Sequence, residues 1–185
     1  MGTVKTQYLA KEVKQVISFT IGAEEYGMEL QDVKEVIRMP EIARLPDTAL
    51  YVRGITNLRG TVIPVVDLRK RFGLESAETT SLTRIIVAEV EGSAVGMVVD
   101  SASQVVRLPA DQLEEPPAVL GELSTDYVTG VGKLENGLLI LIDIRRVFKS
   151  GEIERLKGLA DAAEGGQRTE PGDPVSSQSA VGAIS

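Results

Sequence analysis

The chain contains no cysteine and no histidine. Without cysteine there is no disulfide, no thiolate nucleophile and no thiolate metal ligand. Without histidine the usual general base and the common zinc donor sets are gone as well. An enzyme built on this sequence would have to work with Ser, Thr, Tyr, Lys, Asp or Glu alone. Tryptophan is absent and aromatics make up only 4% of the residues, so the core must be assembled from Val, Ile and Leu, which favour strands. No apolar run approaches the roughly 20 residues that a membrane-spanning helix needs. The amino terminus, MGTVKTQYLAKEV, has no apolar leader segment, and a cytoplasmic protein without direct membrane insertion is expected. Neither GxGxxG nor the GxxxxGK phosphate loop occurs, and the serines have no base to activate them. The adjacent acids Glu24-Glu25 and Glu114-Glu115 read as solvated turns, because neighbouring strand positions point to opposite faces. No catalytic residue, metal site or cofactor is expected.

What is present is 185 residues, 43% hydrophobic and 25% charged, enough for one ordinary domain or two very small ones. The formal net charge of −7 opposes binding to phosphate backbones unless a basic patch is concentrated somewhere. The one such patch, Arg69-Lys70-Arg71 with Arg53 and Arg59 nearby, lacks the interleaved aromatics of single-strand binders. It reads as a solvated helix face, and nucleic acid is not expected as a partner.

The chief organising signal is repetition. At an offset of 69 residues, VISFTIGAEEYGMELQDVKEVIRMP from Val16 aligns with IIVAEVEGSAVGMVVDSASQVVRLP from Ile85 without a gap. At an offset of 76, YVRGITNLRGTVIPVVDLRKRF from Tyr51 aligns with YVTGVGKLENGLLILIDIRRVF from Tyr127, with one extra residue at the second turn. The chain is therefore a tandem duplication of a unit of roughly 60–65 residues, too long and too few-fold for a solenoid. Each unit reads as five short strands with glycine at the turns, the pattern of a small barrel. In the first unit the strands are expected at 15–21, 25–29, 35–39, 53–58 and 61–66, with a helical turn at 30–34. Asp67 and Asp143 stand where they would cap a short following helix. One small barrel alone is marginal, so two packed lobes are expected, formed by repeats at about 15–73 and 84–149. Residues 1–14 make an arm, and the apolar spacing of Ile153, Leu156, Leu159, Ala160 and Ala163 predicts a helix over 151–164. The Gly/Ser/Pro-rich residues 165–185 are expected to be disordered.

The copies also differ. Arg59 becomes Glu135 with Asn136 inserted, Glu35 becomes Gln104, Asn57 becomes Lys133 and Val33 becomes Ala102. Agreement between copies serves the fold, and disagreement marks where one copy has been specialised.

The ordered phrases FTIGAEEYGMELQDVKEVIR, YVRGITNLRGTVIPVVDLRKRFG, VGMVVDSASQVVRL and LSTDYVTGVGKLENGLLILIDIRRVF resemble the family of the chemotaxis coupling protein CheW over residues 15–150. The resemblance implies a mainly β fold of two SH3-like five-stranded barrels packed together, with a strand exchanged near the termini as one version of that fold. It implies an adaptor without catalysis, monomeric alone, that links the cytoplasmic tips of chemoreceptors to the regulatory domain of the histidine kinase CheA and is recruited to membrane-bound receptor arrays. The alternative is a CheW-like regulatory module of a larger kinase or receiver-fusion system. Carried over by position, the receptor-binding residues are Val33, Glu35, Gly54 and Arg59, and the kinase-binding residues are Val98 and Val99. The tail from Gly151 is longer than the family pattern, and MPEIARLP after Arg38 places two prolines near the receptor-facing groove.

Overall fold

The computed structural model describes residues 13–116 and 126–166. The arm at 1–12, the far end of the Pro116-Pro117 excursion and the tail beyond 166 lie outside the described residues. In the first half, β1 (Val13–Ile21) and β2 (Glu24–Glu29) form a hairpin, a 3-10 turn covers Leu30–Asp32, and β3 (Val33–Arg38) follows. A second hairpin of β4 (Val52–Leu58) and β5 (Thr61–Asp67) runs into helix α1 (Leu68–Arg71). The second half repeats the order as β6 (Arg84–Val90), β7 (Ser93–Val99), β8 (Ser101–Pro109), a two-residue β9 (Leu113–Glu114), β10 (Val128–Leu134), β11 (Gly137–Ile142) and α2 (Ile144–Val147). Helix α3 (Glu152–Gly166) ends the described chain. Asp67 caps α1 by accepting from the Lys70 N–H at 3.3 Å, and Asp143 caps α2 by accepting from the Arg145 N–H at 3.0 Å.

The fold is mainly β, in two SH3-like lobes, but the sheets do not follow the repeats. One sheet runs β8-β1-β2-β11-β10-β9 and the other β3-β6-β7-β5-β4. Each repeat therefore places its first hairpin in one lobe and its remaining strands in the other. The division into lobe-forming segments at 15–73 and 84–149 is corrected accordingly: whole hairpins, not a single terminal strand, are exchanged. The connectors explain how. Three residues separate β2 from β3, and Asp100 alone separates β7 from β8, so the chain steps straight from one sheet into the next. Each exchanged hairpin joins its host sheet along both edges, by an antiparallel pairing (β1 with β8, β6 with β3) and by a short parallel seam (β2 with β11, β7 with β5). The sixth strand of the first sheet is the two-residue β9. Its counterpart in the other lobe is a single bridge between Ala43 and Ile55.

β6 and β7 lie within their sheet and are covered on both faces, which is why they read as nearly unbroken apolar runs rather than as an alternation. One face, with Ile85, Val87 and Val98, fills the interior of its lobe. The other, with Ile86, Ala88, Val90, Val95, Met97 and Val99, belongs to a larger cluster that takes Phe19, Ile21 and Met28 from the partner sheet. That cluster lies between the lobes and also receives Ile153 and Leu156 of α3. Four of the aromatics gather at the same seam. Phe19, Tyr26, Phe72 and Tyr127 form a continuous run with centroids 4.8 to 5.9 Å apart. A chain short of large rings has placed them where two small barrels need a shared interior.

Candidate functional site

The β4–β5 hairpin turns through Arg59 (φ 52°) and Gly60 (φ 87°). Positive φ at both central residues is the type I′ geometry, which suits the twist of a two-residue hairpin. The Asn57 side chain steadies it, its Oδ1 accepting from the Gly60 N–H at 2.8 Å. Arginine is a poor residue for the first position, since a left-handed conformation costs a residue with Cβ about 1–2 kcal/mol. Its guanidinium faces Glu35 on β3: Nη1 donates to Oε1 at 2.7 Å and Nη2 donates to Oε2. β3 and β4 are the two edges of this sheet, so the pair ties one edge to the hairpin at the other and helps curl the sheet into a barrel. The Arg59 side chain is 73% exposed and that of Glu35 24%. An ion pair this open contributes only about 0–1 kcal/mol, so stability alone does not account for a strained arginine here. The second copy, with Gln104 and Glu135, cannot form it.

The bond from Arg59 holds the Glu35 carboxyl below the usual glutamate range. A depressed folded pKa means that the unfolded chain takes up its proton first. The pair's contribution is therefore present above the ordinary glutamate pKa and is lost as pH falls through the lowered folded value. In an NMR titration Glu35 should show a midpoint below that of free glutamate. Arg59→Ala should bring the midpoint upward, and an unmoved midpoint would show that the pair does not persist in solution.

The structure brings together Glu35 and Arg59 and places Val33 at the start of the same strand, half-buried against the shared core. Gly54 is different. It is buried in β4 at φ 142°, and a Cβ there would lie 2.0 Å from the Ala43 carbonyl oxygen. Gly54 is thus no outward contact; it lets the chain at 43 cross β4 and bond to Ile55. Val98 and Val99 are corrected. At 7% and 1% exposure they belong to the lobe interior and to the seam core respectively, so neither is available to a kinase. The alternation of β7 did not reveal this because both of its faces are covered.

The reading of Arg69-Lys70-Arg71 as a solvated face is also revised. Arg69 Nε donates to Asp100 Oδ1 at 2.8 Å, and Asp100 Oδ2 accepts from the Gly22 N–H at 2.8 Å, linking α1 to the exchanged β1–β2 hairpin. Arg71 Nε and Nη2 donate to the Val147 carbonyl at 2.8 and 2.6 Å, and Nη2 donates to Glu152 at 2.8 Å. Its guanidinium carbon lies 4.8 Å from the Tyr51 ring centroid. The repeat held the clue: Arg71 aligns with Val147, a substitution that only a partner across the seam explains. Among the described residues no cluster of carboxylates suited to a metal occurs, and no helix is long and apolar enough to cross a membrane.

The family model of the CheW-like domain matches residues 15–152. The chain belongs to the CheW-like domain family. The chemotaxis protein CheW of Klebsiella aerogenes is 35% identical over 147 residues, covering 80% of this chain and 89% of that protein. The chemotaxis protein CheW of Bacillus subtilis is 34% identical over 138 residues, covering 75% of this chain and 88% of that protein. Among solved structures, the scaffolding protein TtCheW from Thermoanaerobacter tengcongensis superposes with a TM-score of 0.69 at 34% identity, covering 75% of this chain and 94% of that one. The CheW-like match ends at the first residue of α3, so that helix is an addition to the matched segment. Its apolar face falls as the spacing requires: Ile153, Leu156 and Ala160 are buried, and Glu164 Oε1 accepts from the Val62 N–H at 2.9 Å.

Proposed function

We propose that this protein is a cytoplasmic chemotaxis adaptor that couples the tips of chemoreceptors to the regulatory domain of the kinase CheA and performs no chemistry of its own. The observation that carries the reading is the extent of the CheW-like match, which spans both lobes. It is supported by relatives of similar length that bear the chemotaxis name and by a structural neighbour described as scaffolding.

In this reading the receptor-facing surface is the half-buried side of β3 that carries Val33 and Glu35, together with the β4–β5 turn: Val33 supplies apolar contact, and Arg59 with Glu35 supplies an oriented charge. Gly54 serves it indirectly by permitting the chain crossing behind it. An exposed arginine held in a bidentate pair keeps stacking area and donors for a partner. Arg59→Glu places two carboxylates where the pair stood. It should weaken binding of a receptor cytoplasmic fragment by at least about tenfold, the effect of losing one good polar contact, while the far-UV spectrum and melting temperature stay near wild type. Unchanged affinity in a folded variant would remove Arg59 from the contact.

A further inference from the structure

We infer a second binding site, for a tetrahedral oxyanion, on the outer face where β3 meets β6. Arg38 and Arg84 are direct cross-strand partners and line one cleft of about 300 Å³ together with Met39, Thr80, Ser81 and Thr83. Directly opposed like charges destabilise a sheet. Several other arginines in this acidic chain are matched to carboxylates, as Arg53 is to Asp67, Arg69 to Asp100 and Arg145 to Asp143, while Arg44, Arg107 and Arg155, which show no ion pair among the described residues, do not face a second arginine across a strand pair. Arg38 and Arg84 have no such partner among the described residues. Two cross-strand arginines that line one cleft without a carboxylate partner, in a chain with 27 acidic side chains, point to an anion as the missing component.

The site is also partly prearranged. Arg84 Nη1 donates to the Ser81 and Thr83 carbonyls at 2.7 and 2.8 Å, which anchors one end of the guanidinium and leaves Nε and Nη2 without a partner among the described residues. Thr80 and Thr83 hold the loop in shape, the Thr80 N–H donating to Thr83 Oγ1 at 2.8 Å and the Leu82 N–H to Thr80 Oγ1 at 3.2 Å. The Ser81 hydroxyl has no partner among the described residues. Two planar forks and a hydroxyl offer more donors than the two oxygens of a carboxylate use, and they suit the three or four oxygens of a phosphate group. The ligand class is therefore phosphate, free or as a monoester. This face is separate from the Glu35–Arg59 pair, since Arg38 and Glu35 lie on opposite sides of the pleat of β3.

The test is thermal unfolding of the full chain in sodium phosphate, in phenyl phosphate and in sodium chloride or acetate of matched ionic strength, with phosphorus NMR line broadening as a direct measure of binding. Wild type should show a saturable rise in melting temperature with phosphate but not with chloride or acetate. Arg38→Gln, which removes the repulsion, should melt at or slightly above wild type in chloride and lose the phosphate-specific rise and the broadening. Arg38→Glu, which gives Arg84 a carboxylate partner, should melt higher than wild type in chloride and not respond to phosphate. A phenyl phosphate response equal to or above that of inorganic phosphate identifies a monoester ligand; a response to inorganic phosphate alone identifies the free anion. No saturable response in wild type, an undiminished response in Arg38→Gln, or an Arg38→Glu protein no more stable than wild type in chloride would overturn the site.

Discussion

Replacing Gly54 with alanine is expected to destabilise the protein by more than about 3 kcal/mol, from strain of about 1–3 kcal/mol at a φ that non-glycine residues avoid and the loss of two backbone bonds of about 1 kcal/mol each. The new Cβ would lie 2.0 Å from the Ala43 carbonyl oxygen and 2.8 Å from its carbon. Both belong to backbone, so no side-chain rotation relieves the overlap. Relief requires moving the segment at 43 off β4, which breaks the two 2.9 Å bonds between Ala43 and Ile55. Gly60 is the control. It also has positive φ, but a Cβ there meets nothing within 4 Å, so Gly60→Ala should cost no more than about 1–2 kcal/mol. Chemical denaturation of both variants measures the difference. A Gly54→Ala protein as stable as wild type would mean that the 43–55 crossing is not as described, and would restore Gly54 as a candidate surface contact.

Arg71→Met is the second large effect, expected to cost about 2–4 kcal/mol, slightly under the range for breaking a fully buried pair because Arg71 and Glu152 each keep some solvent contact. Both side chains are only 16% exposed. The methionine keeps most of the packing against Tyr51 but cannot donate, so the Val147 carbonyl loses both its 2.8 and 2.6 Å bonds and Glu152 loses its counter-charge. These contacts join α1 to α2 and α3, so the loss falls on the seam between the lobes. For a domain of this size the melting temperature should drop by roughly 5–15 °C. Arg71→Lys should recover only part of it, because an ammonium cannot span the carbonyl and the carboxylate in one plane. A full-strength Arg71→Met protein would make the basic cluster the solvated face that its sequence suggests.

Much of this architecture was legible in the residues. The repeat located the strands, the glycines marked their turns, and Asp67 and Asp143 fell where caps were needed. The apolar spacing after Gly151 placed α3. The exchange of hairpins was not legible, because apolar alternation tells which face a strand buries and not which strand it lies beside. The strands of β6 and β7 defeated alternation: with one face in a lobe and the other in the seam, nearly every position between their ends is apolar, and Val98 and Val99 look the same whether covered or bare. Comparison of the two copies gave the site its best lead. It put Glu35 and Arg59, with Asn57 and Val33, among the positions where the copies differ, although only coordinates show that the Glu35 and Arg59 side chains meet. The same comparison set Arg71 against Val147, and there the signal was present but went unread.

Co-sedimentation of the protein with a receptor cytoplasmic fragment and the CheA regulatory domain tests the central claim most directly. Receptor and kinase domain should pellet together only when this chain is added, and Arg59→Glu should release the receptor fragment while leaving the kinase domain bound. Kinase domain that pellets equally with and without the chain, or a chain that engages neither component, would contradict the assignment of this protein as their coupler.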